Sequence, residues 1–363
     1  MRVLHFFKTY LPDSFTGVER VIHQIAEATA PLGISSDVLS LSPRPSAEPI
    51  AVGQHFSHQA KQDLYVASTG LSLSVFGAFR RLAAEADIVH YHFPWPMMDL
   101  VHVLSRTGKP AVVTYHSDIV KQERLLRLYR PLMDRFLGSV DAIVATSPNY
   151  AASSPVLARY RDKLSVIPIG IGDEAAVNVN TMTTYEGRLG RGFFLFLGAL
   201  RYYKGLPFLL DAARLTGLPV VIAGSGDTAA IERMGLGNVT VLGEVSEEEK
   251  LALTKLCTAF VFPSHLRSEA FGVALLEAAR AGKPMISCEI GTGTSFVNED
   301  GVTGLAIAPA DPVALAEAMV SLAKNAERCR QMGLAARARY ENLFTARQMG
   351  QAYAALYHKL GAA

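Results

Sequence analysis

Two charge clusters in the second half of the chain sit where helices should begin, and their chemistry suits an anion flanked by hydroxyls. In "FLGALRYYKGLPFLL", Arg201 and Lys204 stand three residues apart, just before a glycine and an apolar helical pattern with Pro207 near its start. An anion there would meet two cations, the free N–H groups of a helix N-terminus and the positive end of its dipole. A solvated loop pair explains the same spacing, but an Arg and a Lys at a helix start suit a diphosphate better than a monoanion. In "SEAFGVALLEA", Glu269 precedes Phe271-Gly272-Val273, and Glu277 follows eight residues after Glu269. A helix starting at Phe271–Val273 leaves those N–H groups without intrahelical acceptors. Eight residues of ideal helix hold the two carboxylates about 12 Å apart, too far for the acid and base of one glycosidic bond. Each would instead meet a different hydroxyl-bearing end of a long ligand with a diphosphate between, which describes a nucleotide sugar.

The histidines are a second group to weigh. Of ten in the chain, His90 and His92 share one face of a strand, and His116 ends another strand, followed by Ser117 and Asp118. The first two resemble metal ligands without an evident third, so a core role is the simpler reading. His116 stands out only through its position at a strand end. Cys257, Cys288 and Cys329 show no metal-type spacing and read as reduced, structural thiols of a cytoplasmic protein.

These residues need a scaffold, and the alternation of patterns describes one. "RVLHFF", "DIVHYHF", "AVVTYH" and "AIVATS" are apolar runs of the kind buried in parallel sheets, and "GVERVIHQIAEATAPLG" carries helical periodicity. After "LSVIPIGI" the chain turns polar from Gly172 to Gly192, then alternation restarts with "FFLFLG", "PVVIAG", "VTVLG", "AFVFPS" and "PMISCE". This predicts an α/β protein of two doubly wound, Rossmann-like domains with ligands at the carboxyl ends of the strands. The expected boundaries are 1–172, a linker at 173–192, and 193–344, with a last helix near 345–363 able to pack back on the first domain. At 363 residues and 50% hydrophobic, the chain has ample material for two cores. A net charge of +2 argues against nucleic acid as a partner. The N-terminus reads as a first strand, not a signal peptide, and the longest uncharged stretch, 64–79, is too polar to span a membrane.

The second half resembles the C-terminal domain of the GT-B, family 4 retaining glycosyltransferases, through "GALRYYKG", "IAGSGD", "LGEVSEEEKLAL", "VFPS", "SEAFGVALLEA" and "EDGVTGLAIAPAD" in order. "HFFKTYLPDSFTGVER", "VVTYHSD" and "IPIGI" extend a weaker resemblance through the first half, so it covers nearly the whole chain. "CEIGTGTSFVN" with "MRVLHFFKTYLPD" is similar, more narrowly, to bacterial enzymes that add mannose or D-rhamnose from GDP-sugars to O-antigen polysaccharides. The resemblance implies two facing domains with a cleft between, the first binding acceptor and the second the donor. It implies Arg201 and Lys204 on the diphosphate, Glu277 on the ribose, and Glu269 with the N–H groups of Phe271, Gly272 and Val273 on the donor sugar. Gly17 would let backbone approach the β-phosphate, His116 would face the donor sugar, and the loop around Val245 would cradle the base. Thr16 replaces the first of the family's usual two glycines, and Ile169 its usual Asn. No D-x-D occurs, which agrees with Arg201 and Lys204 replacing a metal, so neither metal nor other cofactor is expected.

One further segment bears on partners. "KQERLLRLYRPLMDRFL", residues 121–137, sets Lys121, Arg124, Arg127, Arg130 and Arg135 among apolar residues, with Pro131 interrupting the helix. Such a segment can rest on anionic headgroups at the inner face of the cytoplasmic membrane, or it is an ordinary helix with snorkelling arginines. The leading expectation is transfer from a GDP-sugar to a lipid-linked glycan. The alternatives are a UDP-sugar donor with another acceptor, and a non-catalytic nucleotide-sugar-binding subunit. A dehydrogenase is disfavoured, since no G-x-G-x-x-G follows the first strand.

Overall fold

A computed structural model describes residues 1–66, 69–119, 123–174 and 176–362. The chain forms two compact units: Met1–Gly172 joined by the segment from Ala346 onward, and Asp173–Thr345.

Unit 1 is built on strands β1 (Arg2–Phe6), β2 (Ser35–Ser42), β3 (Ile50–Val52), β4 (His55–Lys61), β5 (Leu64–Val66), β6 (Thr69–Leu71), β7 (Ile88–Phe93), β8 (Ala111–Tyr115), β9 (Ala142–Ala145) and β10 (Leu164–Val166). Eight form one sheet in the order β10-β9-β8-β7-β1-β2-β4-β3, parallel except for β3, while β5 and β6 make a separate hairpin. Helices α1 (Gly17–Thr29), α2 (Val75–Glu85), α3 (Pro96–Ser105), α4 (Glu123–Ser139) and α5 (Pro148–Ser153) connect them. The central strands β1, β7, β8 and β9 are the expected apolar runs, and all but Arg2 of their residues are buried. A sheet covered on both faces should be uniformly apolar, yet His5, His90, His92 and Thr114 lie fully buried in it.

Unit 2 is a six-stranded parallel sheet in the order β13-β12-β11-β14-β15-β16, made of β11 (Phe194–Leu197), β12 (Val220–Ala223), β13 (Val239–Gly243), β14 (Ala259–Phe262), β15 (Met285–Cys288) and β16 (Gly304–Ile307). Its helices are α6 (Val179–Leu189), α7 (Leu206–Thr216), α8 (Ala229–Glu232), α9 (Glu247–Leu256), α10 (Val273–Arg280), α11 (Gly293–Val297), α12 (Pro312–Ala323) and α13 (Ala326–Leu343). Phe194, Phe196, Leu209, Ile222, Val261, Ile286, Met319 and Leu322 form its core.

The final helix, α14 (Ala346–Gly361), covers the polar patch of the first sheet. Tyr357 and Tyr353 bring buried hydroxyls to His90 Nδ1 and Thr114 Oγ1, at 2.6 and 2.8 Å. Gly350 lets the helix approach α1 closely, since a Cβ there would lie 2.5 Å from the Ala28 carbonyl oxygen.

Two expectations are corrected. Residues 173–192 are not an irregular connection: α6 occupies most of the stretch within unit 2, N-capped by Asn178, and Tyr185 donates to Glu249 Oε1 of α9 at 2.7 Å. Its polar residues masked the helix, because docking rests on one aromatic and hydrogen bonds instead of an apolar stripe. Helix α4 also runs through Pro131. The proline is exposed at the surface, so water can satisfy the carbonyl freed by its missing N–H, while Met133, Phe136 and Leu137 anchor the helix below. Lys121 lies outside the described residues.

Candidate functional site

In unit 2 the strand order reverses between β11 and β14, and the loops that leave these two neighbours carry the predicted charges. The crevice at such a switch point is where open parallel sheets bind ligands. After β11 the chain makes a 3₁₀ turn, Tyr202–Lys204, with the Lys204 N–H donating to the Arg201 carbonyl at 2.9 Å. Gly205 closes the turn at φ +72°, and a Cβ there would lie 1.9 Å from the Pro263 carbonyl oxygen. Only glycine lets this loop lie against the end of β14.

That close approach brings Lys204 to Glu269. Lys204 Nζ is 2.5 Å from Glu269 Oε2 and 4.5 Å from the ring centre of Phe262, and each charged side chain is only 13% exposed. Ser264 Oγ donates to the same carboxylate oxygen at 3.4 Å. Arg201 is exposed, and among the described residues its guanidinium makes no hydrogen bond or ion pair. The loop pair therefore has one cation facing solvent and one held by a carboxylate.

Helix α10 begins at Val273, after Gly272 in the left-handed region at φ +85°. Among the described residues the N–H groups of Phe271, Gly272 and Val273 meet no protein acceptor. The start at Val273 alters one expectation: Glu269 lies in a loop and Glu277 on the helix, so ideal-helix rise does not set their separation. Glu277 is half-buried. Val245, also half-buried, sits between β13 and α9, whose N-terminus is closed by a reciprocal Ser246–Glu249 capping box.

In unit 1 the corresponding reversal lies between β1 and β7. Gly17 opens α1 beyond β1; it is exposed, and a Cβ there would meet nothing within 4 Å. Neither packing nor backbone conformation requires this glycine. The loop before it is held by Glu19, which the sequence reading overlooked. This buried carboxylate accepts from Thr9 Oγ1 at 2.6 Å, Ser14 Oγ at 2.9 Å and Thr16 Oγ1 at 2.9 Å. The available signal was three hydroxyl residues crowding one acid in a first helical turn.

His116 follows β8, its backbone N–H bonded to the Phe93 carbonyl at 3.0 Å. Its Nε2 lies 3.1 Å from His92 Nδ1, and His92 Nε2 lies 3.0 Å from His5 Nδ1. His90 sits between the Tyr357 hydroxyl and Thr114 Oγ1, at 2.6 and 2.7 Å. Burial pushes His5 and His116 down to about 3 and holds His90 and His92 well below the usual imidazole range, so all four are neutral at pH 7. The expectation that His90 and His92 lack a third partner is corrected. His5 pairs with His90 across β1 and β7, and the three offer nitrogens within 4.8 Å of one another. Such a set could hold a metal ion, but both nitrogens of His90 and of His92 are already hydrogen-bonded.

Residues 185–339 match the family described as glycosyl transferases group 1, and residues 15–174 match glycosyltransferase family 4. The chain is 54% identical to the D-rhamnosyltransferase WbpZ of Pseudomonas aeruginosa, over 95% of this chain and 93% of that protein. It is 49% identical to the O-antigen chain mannosyltransferase C of Escherichia coli, over 99% of each. Among solved structures, a sucrose-phosphate synthase from Thermosynechococcus elongatus superposes with a TM-score of 0.84 over 99% of each chain at 20% identity. WaaG, a glycosyltransferase involved in lipopolysaccharide biosynthesis, superposes at 0.69 over 98% of this chain and 99% of that one, at 17% identity. These two likenesses identify the GT-B fold.

Proposed function

We propose, from the premise that this chain belongs to glycosyltransferase family 4 and is a glycosyltransferase, that it moves mannose or D-rhamnose from a GDP-sugar to a growing, lipid-linked O-antigen polysaccharide. Two relatives near half identity, matched over almost their whole length and named for D-rhamnosyl and mannosyl transfer, support the sugar and the acceptor. The observation that carries the chemistry is the pairing of Lys204 with Glu269, beside a solvent-facing Arg201 on the same loop, at the switch point of the second sheet.

In this reading Arg201 takes the diphosphate first, because its guanidinium needs no partner broken. Lys204 then shares its charge between the diphosphate and Glu269, while Glu269 and the N–H groups of Phe271, Gly272 and Val273 hold the sugar hydroxyls. Glu277 accepts from the ribose and Val245 lies beside the base. Gly17 admits the β-phosphate, and His116 contacts the sugar. Transfer proceeds with retention. The sugar's bond to the diphosphate breaks while the acceptor oxygen bonds on the same face, and the acceptor's proton passes to the departing phosphate oxygen. Stabilising that leaving group electrostatically is the largest catalytic contribution, and Arg201 and Lys204 supply it without a metal ion.

No helix among the described residues is long and apolar enough to cross a membrane. Arg127, Arg130 and Leu128 are exposed on α4, which supports peripheral attachment at the cytoplasmic face, near a lipid-linked acceptor. Thermal-shift binding to GDP-mannose, GDP, UDP-glucose and UDP tests the donor, followed by mass-spectrometric donor hydrolysis across a nucleotide-sugar panel. Preference for the uridine nucleotides would overturn the GDP assignment.

A further inference from the structure

Imidazoles are rare in the interior of a parallel sheet, and here three of them form a continuous chain that ends at the carboxyl edge. His5 Nδ1 meets His92 Nε2 at 3.0 Å, and His92 Nδ1 meets His116 Nε2 at 3.1 Å. His5 and His92 are fully enclosed, while His116 keeps 8% of its surface. A neutral imidazole carries one N–H and one lone pair, so each link needs one ring to donate and the other to accept. The whole chain must then run in one direction.

Its inner terminus selects the direction. His5 Nε2 is enclosed and has no hydrogen-bond partner. If His116 donated inward, the last proton would sit on that nitrogen as a buried N–H without an acceptor, the kind of orphan that folded proteins rarely tolerate. If His5 donates outward, only a lone pair stays unpaired there. The outer terminus agrees: His116 Nδ1 makes no hydrogen bond among the described residues and is not enclosed, so a proton on it can reach an acceptor outside the chain. We infer that His5 and His92 are positioning residues that hold His116 in one tautomer, with its proton on Nδ1, so that the ring presents a hydrogen-bond donor and not a base at its open edge. The nitrogen facing inward is occupied by His92, which leaves the acceptor's proton to the leaving phosphate. His90 stands beside this chain but not in it, since Tyr357 and Thr114 take both of its nitrogens.

This inference rests on the reading that His116 contacts the donor sugar, and the two are separated by measuring the tautomer without any donor. The full chain labelled with ¹⁵N-histidine is examined by NMR at pH 7, with His116→Gln used to assign the signal. A protonated Nδ1 and a bare Nε2 on His116 are expected. In His92→Leu, which fills the space without either link, His116 should exchange between tautomers and kcat should fall about tenfold, the effect of one lost hydrogen bond, with a smaller change in KM. In His92→Gln, whose amide can donate to His116 and accept from His5, the single tautomer should return with most of kcat. A proton on Nε2, a tautomer mixture in the wild-type protein, or a His92→Leu spectrum unchanged at His116 would overturn the inference. So would one equivalent of metal found by elemental analysis on His5, His90 and His92. If His92→Leu does not fold, the wild-type spectrum decides alone. The assigned tautomer together with full transfer by His116→Ala would remove the donor-sugar reading and leave the chain of imidazoles standing. The opposite tautomer with a dead His116→Ala would do the reverse.

Discussion

Acidification should unfold unit 1 well before the carboxylates of an ordinary protein titrate, and the size of the effect follows from its buried histidines. His5 and His116 are pushed by burial to about 3, His102 to about 4, and His90 and His92 lie well below the usual range. Well above pH 6.5, from about pH 8, these rings are neutral whether the chain is folded or not, and they contribute no pH dependence. Between pH 6 and 5 the unfolded chain protonates them and the native state does not, so stability falls with pH. Asp99 works the other way: burial raises its carboxyl well above the ordinary range, so the native state takes up that proton first and gains stability on acidification. Five histidines at about nine-tenths protonation when unfolded, less one for Asp99, leave a net uptake between three and four protons. At about 1.4 kcal/mol per proton per pH unit, the expected slope is about 5 kcal/mol per pH unit. The single tryptophan, Trp95, is buried in unit 1, with its Nε1–H on the Gly70 carbonyl at 3.0 Å, and it reports this unit selectively. Urea unfolding followed by its fluorescence at several pH values between 5 and 6.5 gives the slope. A slope below about 1.4 kcal/mol per pH unit, one proton or fewer, would refute the picture of a neutral, enclosed histidine cluster.

Arg201→Ala should lower kcat by about a hundredfold to a thousandfold with little change in stability, while a chelator leaves wild-type turnover intact; an unchanged rate in the variant, or loss of turnover with the chelator, would break the proposed charge assignment. Gly205→Ala, which puts a Cβ into the Pro263 carbonyl at a left-handed φ, should destabilise unit 2 by about 3 kcal/mol or more, read by calorimetry as a lowered transition. Reversing Arg127, Arg130 and Arg135 to Glu should abolish flotation with anionic vesicles, leave neutral vesicles unaffected and preserve donor hydrolysis; retained flotation would remove α4 as the membrane contact.

Much of the scaffold was legible because parallel strands buried on both faces read as short apolar runs. "AVVTY", "FLFL" and "AFVF" form β8, β11 and β14 where expected. The charged loops were legible too, since Arg201, Lys204 and Glu269 follow strands directly and precede helices. Helix α6 was hidden by its polarity, and the hairpin of β5 and β6 by a lack of periodicity in the stretch from Leu64 to Phe79. Local pattern thus determined two βα-alternating halves and the residue types at their strand ends, because backbone hydrogen bonding and burial impose periods that a linear sequence carries. Partnership was decided in three dimensions. The pairing of Lys204 with Glu269, 65 residues away, required a glycine that lets one loop lie on the next. The chain from His5 to His116 required strand register, and the bonds of Tyr357 to His90 and of Tyr353 to Thr114 beside it required a helix more than 200 residues downstream to return to the first sheet. Such contacts depend on which distant surfaces exclude water together, a property that no short window of sequence contains.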